Sequence, residues 1–473
     1  MIRLAIVLLV LCASISCSYS GTPTGFVTQT TGVLHVYADG TSGNDAWDGS
    51  AAAQTPGTLI GPKKTLQAVF DLIPFRVAHN TCVHLAGTFT DWGLAYLIRY
   101  VELVATLLID GGTALTIVDD NGGVNYTDDI HSASSIGLTT AGWAVDAYAG
   151  YLVEMVSGVC SGQHRMIVAN TSTTLTPAQN FSGDPGAGAQ FRISRPATTF
   201  SASVTTSKLG FGNLGQGSYR VQNLYLTGTK AQIITIGGTV GTTTSAVPNL
   251  SHVISNAAWA NAAIFSGGVL AEGERYNNVT FSREYGSAYS NAGFGLIPSA
   301  GKITANDYLS VTLYQTFATQ VLLQRGDAFA VNVGSRIKSL QVAGVDATNL
   351  NAAMISTTAG YATTTLNYLR LVDSTVRIGA GVSVSDSSTH GIEVNHGRVH
   401  LDGAVTGTGN TGAGVYAHSG SVVHIKNGAA PTLTGTVGNL SFDGTTEAST
   451  WAAIDAGTKA VDLSELSLAK EVP

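Results

Sequence analysis

Three segments in the C-terminal half recur at a spacing of 23 residues: VDSTVRIGAGV at 372–382, NHGRVHLDGAV at 395–405 and HSGSVVHIKNGA at 418–429. The spacing aligns Val376 with Val399 and Val422, and Ser374 with Gly397 and Gly420. A fixed period of this length marks a solenoid, in which one unit cannot bury its apolar face alone and stacked neighbours bury it together. Apolar pairs two residues apart carry the pattern back along the chain as Leu224/Leu226, Val279/Phe281, Leu309/Val311, Leu340/Val342, Leu369/Leu371, Ile392/Val394 and Val415/Ala417, with Val253 anchoring a weaker turn. Alternation at period two is a strand with one buried face. The intervals of 23 to 31 residues leave room for that strand and for Gly- and Asn-rich corners. Strands stacked about 4.8 Å apart in this way make a stiff rod.

Composition narrows what such a rod can contact. Only 11% of the 473 residues are charged and the formal charge is −7, so uncharged hydroxyl and amide groups supply most of the polarity. An apolar fraction of 44% excludes a disordered polyelectrolyte. There is no Lys/Arg run to neutralise phosphates, which argues against a nucleic-acid partner.

The chain opens with Arg3, an apolar run from Leu4 to Ala13 and small residues Ser18 and Ser20 before Gly21, the pattern of a secretory signal peptide over 1–20. No run approaches the roughly 20 apolar residues of a transmembrane helix. The expected product is secreted or held at the cell surface, with a lipid-modified Cys17 as the rival reading. Cleavage would leave Cys82 and Cys160, too few for a disulfide framework; Cys82, in the alternating stretch Thr81 to Leu85, is expected to face a core.

Between Val33 and Phe89 the order is strand (VLHVYA), polar turn (DGTSGNDAWDG), GPKKTLQAVFDLIP, strand (CVHLAGTF). Leu66, Val69, Phe70 and Ile73 fall at i, i+3, i+4 and i+7 and Pro74 ends the run, which predicts one short amphipathic helix. Gly43, Asn44, Asp45, Asp48, Gly49, Gly61, Pro62, Lys63, Thr65, Gln67 and Ala68 resemble the entry segment of right-handed parallel β-helix proteins of the pectate-lyase-like superfamily. That superfamily includes polysaccharide lyases and hydrolases, surface proteins and phage tailspikes. The resemblance implies an all-β fold, a single-stranded right-handed parallel β-helix solenoid whose cap helix shields an open sheet end. It also implies a polysaccharide or cell-surface glycan as partner, a possible homotrimer, and a virion-associated location as the minority alternative to secretion.

The expected organisation is signal peptide 1–20, cap and first strands 21–90, first rungs 91–142, an inserted small β module 143–195, further rungs 196–432 and a closing or assembly segment 433–473. The pattern SGxxxGQxR followed by an Asn-Thr turn and TTLT resembles a module inserted in exported and phage-tail β-helix proteins.

Residues flanking inward anchors form outward columns. One reads Tyr225, Ile254, Thr280, Ser310, Gln341, Arg370, Glu393, Tyr416; the other reads Asn223, His252, Asn278, Tyr308, Ser339, Tyr368, Gly391, Gly414. Arg370, Glu393 and Tyr368 should therefore share a face, with Asp373, His396 and Asp402 on corners. Arg370, Glu393 and Asp373 are the first catalytic candidates: a lyase needs a base and a cation for the enolate, and a glycosidase needs two carboxyl groups roughly 5.5 Å apart for retention or 6.5–9.5 Å for inversion. The competing reading is a surface ion pair contributing about 0–1 kcal/mol. Glu284 is a second catalytic candidate, in a patch with Glu272, Glu274, Arg275 and Arg283. Tyr308, Tyr368, Gln341, Tyr416, Tyr276 and Tyr285 are the substrate-binding candidates, because ring faces suit the apolar faces of sugars. No cofactor is required; Asp119, Asp120, Asp128 and Asp129 could hold Ca²⁺ through oxygen ligands, but their spacing matches no EF-hand loop and a solvated turn is the favoured reading. The five histidines from His390 to His424 are expected to scatter around the coil, and no metal centre is assigned. Two function classes follow: a binding or structural protein of adhesin or tailspike type, favoured because no catalytic motif occurs, and a polysaccharide lyase or glycoside hydrolase.

Overall fold

The computed structural model describes residues 32–74, 76–90, 94–103, 105–202, 208–213, 218–228, 234–236, 247–257, 263–265, 279–281, 295–296, 302–314, 316–332, 334–345, 353–401, 404–418, 420–425, 431–442 and 445–448. Residues 1–20 with their expected signal peptide and Cys17, the patch containing Glu284, Tyr276 and Tyr285, Asp402 and residues 449–473 of the expected closing segment lie outside the described residues.

The apolar alternation in the sequence becomes stacked parallel strands. Leu340, Leu369, Ile392, Val415 and Leu440 stand in line across successive strands, as do Val342, Leu371, Val394 and Ala417. They are 2% exposed or less, so four of the strands contribute two residues each, and the fifth Leu440, to one continuous apolar column. Two further strand columns run alongside. One takes Thr375–Ile378, Arg398–Leu401 and Val422–Ile425, and the other takes Ser383–Val384, Thr406–Asn410 and Thr432–Gly435. The result is a nearly all-β molecule of parallel sheets, one of them nearly closed. The final pairing of Gly438–Phe442 with Thr445–Ala448 is antiparallel. No helix among the described residues is long and apolar enough to cross a membrane.

The helix expected before Pro74 spans Leu66–Phe70 and buries Leu66, Val69 and Phe70. Thr65 is its N-cap, accepting from Ala68 N, and the Asp45 carboxylate accepts from the backbone N–H groups of Lys64 and Thr65. These bonds satisfy donors that a helix start leaves open.

Several registers differ from the periodic reading. Val399 pairs with Val423, not Val422. A one-residue slip reverses which side chain faces inward, and two adjacent valines give the sequence no means of choosing between them; Val423 is the buried one. Tyr308 and Ser310 lie level with Gly326 and Ala328, because the strand Phe317–Asn332 intervenes and places Gln320 and Leu322 beside Ser339 and Gln341. Val321 and Leu323 supply an inward pair that the longer spacing passes over. Thr280 lies beside Asn249 and Thr312 rather than Ile254 and Ser310. Cys82 faces outward, half-buried, because Val83 and Leu85 take the inward positions of its strand.

A separate antiparallel sheet of eight strands runs from Leu115–Asp119 to Gln190–Pro196, taking in strands that precede residue 143. Tyr126 packs against Trp143 and Phe191 in its core, at 5.4 and 5.3 Å between ring centroids. In the SGxxxGQxR segment, the buried Arg165 donates to Gln163 Oε1 and to the Asn180 carbonyl, so the motif locks a turn. Tyr225 and Phe317 of the parallel stack pack into this core, and Arg336 pairs with Asp146 across the junction.

Candidate functional site

Alternation fixes the site. Leu369 and Leu371 face inward, so Tyr368 and Arg370 face outward; Ile392 and Val394 do the same for Glu393, and Val415 and Ala417 for Tyr416. Parallel pairing then sets Gln341, Arg370, Glu393 and Tyr416 level on four successive strands.

Glu393 is the hub. The Tyr368 hydroxyl donates to its Oε2, while Arg370 Nε and His418 Nε2 approach Oε1, each at 3.3 Å. The Glu393 side chain is 17% exposed, whereas those of Arg370 and His418 are 40% and 34% exposed. Burial pushes the Glu393 carboxyl upward, but the hydrogen bonds from Tyr368 and His418 and the Arg370 charge outweigh it and hold the group below the usual carboxylate range. Burial, then the bond to Glu393 and its negative charge, push the Tyr368 hydroxyl far above its ordinary value. Tyr368 is thus a fixed donor.

A second layer lies beside this hub. The His390 ring stacks on Tyr416 at 4.3 Å and 14°, and Tyr416 meets His418 edge-on at 4.8 Å. His390 Nδ1 accepts from Ala413 N at 3.0 Å, which leaves Nε2 as the protonated nitrogen of a neutral ring. Burial lowers the His390 pKa, Glu393 draws it back up, and His418 lowers it further.

The structure therefore brings together Arg370, Glu393, Tyr368, Tyr416 and the neighbouring Gln341. Tyr308 is beside Gly326, away from this group. Asp373 is exposed at a corner with φ 47°, aligned with His396 at φ 51°. A short polar side chain tolerates that left-handed backbone, which gives Asp373 a conformational reason to be there. The histidines do not all scatter: His390 and His418 join the cluster, and His400 lies level with His424 with ring centroids 5.0 Å apart. The signal for His418 was its even spacing from outward Tyr416; His390 lies before its strand, where alternation gives no direction. In the acidic patch, Asp119 accepts from Tyr148 and Asn121, Asp120 from Gly123, and Asp129 from Thr139, so each of these three carboxylates serves its own turn or strand.

Chemically, the hub is one ionised carboxylate held by two hydrogen-bonding partners, Tyr368 and His418, and by the Arg370 charge at 3.3 Å, whose Nε makes no hydrogen bond among the described residues. What it presents outward is a guanidinium, an imidazole and a stacked His–Tyr pair. That surface suits a ligand with apolar ring faces and hydroxyl or carboxylate edges. No protein-family model matches the chain, and neither a curated protein nor a solved structure matches it significantly.

Proposed function

We propose that the chain is an exported, single-stranded right-handed parallel β-helix that binds polysaccharide through the Gln341–Arg370–Glu393–Tyr416 face, as an adhesin- or tailspike-like protein. The observation that carries this reading is the state of Glu393. Its oxygens accept from Tyr368 and pair with His418, and the Arg370 guanidinium lies 3.3 Å away as an ion pair, so the carboxylate orders the partly exposed Arg370 and His418 groups. A carboxyl held below its ordinary range is a poor general acid near neutral pH. The stacked parallel strands, the helix at the amino-terminal end and the signal-like leader support the fold and export parts of the proposal. The resemblance to tailspikes also brings a homotrimer into the proposal, which sedimentation velocity tests.

The alternative is a polysaccharide lyase or glycoside hydrolase. The 3.3 Å approach of Arg370 to Glu393, with Tyr368 on the same carboxylate, is the feature that favours it. One experiment separates the two. Incubation with acidic and neutral polysaccharides, with and without EDTA, is followed by ultraviolet absorbance of unsaturated products, by reducing ends and by retained glycan. Binding expects retention without product, weakened by Arg370→Gln and Tyr416→Ala. Product formation abolished by Glu393→Gln makes the chain an enzyme and overturns the binding reading.

A further inference from the structure

A second outward cluster lies at the amino-terminal end of the stack, on strands that do not contribute to the glycan-binding face. The strand Leu34–Asp39 pairs in parallel with Thr81–Ala86, setting His35 level with Cys82 and Tyr37 level with His84. Val36, Val83 and Leu85 take the inward positions, so alternation sends His35, Cys82 and His84 to the same outer face. His35 Nδ1 and His84 Nε2 are 2.9 Å apart, and one ring nitrogen of each histidine and Cys82 Sγ all lie within 4.8 Å of one another. The Tyr37 ring stacks on His84 at 4.7 Å and fixes its plane. On the next strand Asp110 is level with His84, its Oδ1 held by Asn223 Nδ2 at 2.7 Å and Gly112 N at 2.9 Å.

We propose that His35, Cys82 and His84 form a binding site for a divalent d-block cation, with Zn²⁺ as the expected occupant and solvent or Asp110 at the fourth position. Two imidazole nitrogens and one sulfur are a borderline-soft donor set, which selects Zn²⁺, Co²⁺, Ni²⁺ or copper over Ca²⁺ and Mg²⁺. Metal–nitrogen bonds of about 2.0–2.1 Å and a metal–sulfur bond of about 2.3 Å place tetrahedral donors roughly 3.3–3.6 Å apart. The two nitrogens, which face each other at 2.9 Å with ring centroids 5.2 Å apart, must separate to that distance and tilt toward the ion, and the Cys82 sulfur, within 4.8 Å, must close to it. Binding releases the thiol proton to solvent and breaks the hydrogen bond between the two rings, whose proton shifts through solvent to the other nitrogen of the same imidazole. The rigidity of two in-register strands holds the donors together before the ion arrives.

The test uses the full chain stripped with EDTA and titrated with Co²⁺. The expected spectrum is that of a tetrahedral site with a thiolate-to-cobalt charge-transfer band, saturating at one ion per chain and displaced by Zn²⁺. Cys82→Ser removes the charge-transfer band, and His84→Asn weakens Zn²⁺ binding, read against a chromogenic chelator, by more than the about 10–100-fold typical of losing a supporting residue. Unchanged melting of both variants without metal shows that the fold is retained. The spectrum of the unmutated chain is itself decisive: a cobalt spectrum without a thiolate band, or the same band in Cys82→Ser, overturns the proposal. So does Zn²⁺ affinity unchanged by His84→Asn.

Discussion

The hydroxyl of Tyr368 donates to one oxygen of Glu393 on the next strand, while Arg370, two residues further along the Tyr368 strand, approaches the other at 3.3 Å. One strand thereby clamps a carboxylate of its neighbour from both sides. Tyr368→Phe keeps the ring and removes only the donor. Loss of a hydrogen bond to a charged group costs about 1.5–3 kcal/mol, so the urea midpoint should fall by the corresponding amount. An unchanged midpoint would mean that the bond adds nothing to the stack.

The pH dependence of stability should be carried in part by Glu154 in the antiparallel sheet. Burial raises its pKa, but bonds from His164 and a two-pronged contact with Arg192 at 2.7 Å outweigh it and hold the carboxyl at about 2. A folded pKa below the unfolded one stabilises the protein above the unfolded value, and that stability is lost as pH falls through the folded value. The shift corresponds to a few kcal/mol, on the order of 1.4 per unit. Melting temperatures of the wild type and Glu154→Gln should differ most above about pH 5 and converge toward about pH 2. A constant difference across that range would contradict the assignment.

How much of this was legible follows from what periodicity can encode. Leu340/Val342, Leu369/Leu371, Ile392/Val394 and Val415/Ala417 line up as their spacing implies, because one apolar pair per step leaves a single register in which the core closes. The Arg370–Glu393–Tyr416 column follows directly from that register. It failed where the sequence offers two equivalent choices, at Val422 and Val423, and where a shorter step hides between longer ones, at Phe317–Asn332. The His35–Cys82–His84 group was invisible for a different reason. His35 and Cys82 are far apart in the chain and meet only through pairing of two strands outside the repeating segment. Reading Cys82 as inward also concealed it.

Backbone crowding between neighbouring strands makes Gly407 irreplaceable. A Cβ at this position would lie 2.0 Å from the Val384 carbonyl oxygen and 2.6 Å from Leu433 Cδ1. The carbonyl belongs to the strand Ser383–Val384 and cannot retreat without opening the ladder. Gly407→Ala should destabilise by about 1–3 kcal/mol or more, the range for forced overpacking. Gly183, where an added Cβ meets nothing within 4 Å, is the control; Gly183→Ala should stay within about 0.5 kcal/mol. Equal denaturation midpoints for the two variants would contradict the close approach.

The junction between the two sheets makes the last prediction. Arg336 opens a strand of the parallel stack, its guanidinium lies 5.9 Å from the centroid of the Phe317 ring, and it pairs with Asp146 in the turn before strand Leu152–Met155 of the antiparallel sheet. The two side chains are 21% and 17% exposed, so removing either leaves a charge largely cut off from water. Arg336→Met should therefore cost more than the about 0–1 kcal/mol of a surface pair and approach the about 3–5 kcal/mol of a broken buried one. Asp146→Asn should cost a similar amount for the same reason. The double variant replaces both charges at once and removes the stranded partner, so its cost should fall well below the sum of the two. A double-mutant cycle read by chemical denaturation measures that difference. Strict additivity would mean that the pair does not couple the sheets, which would then be held by Tyr225 and Phe317 in the shared core and by the backbone bonds from Ala362 N to Ala178 O and from Asn180 N to Gly360 O.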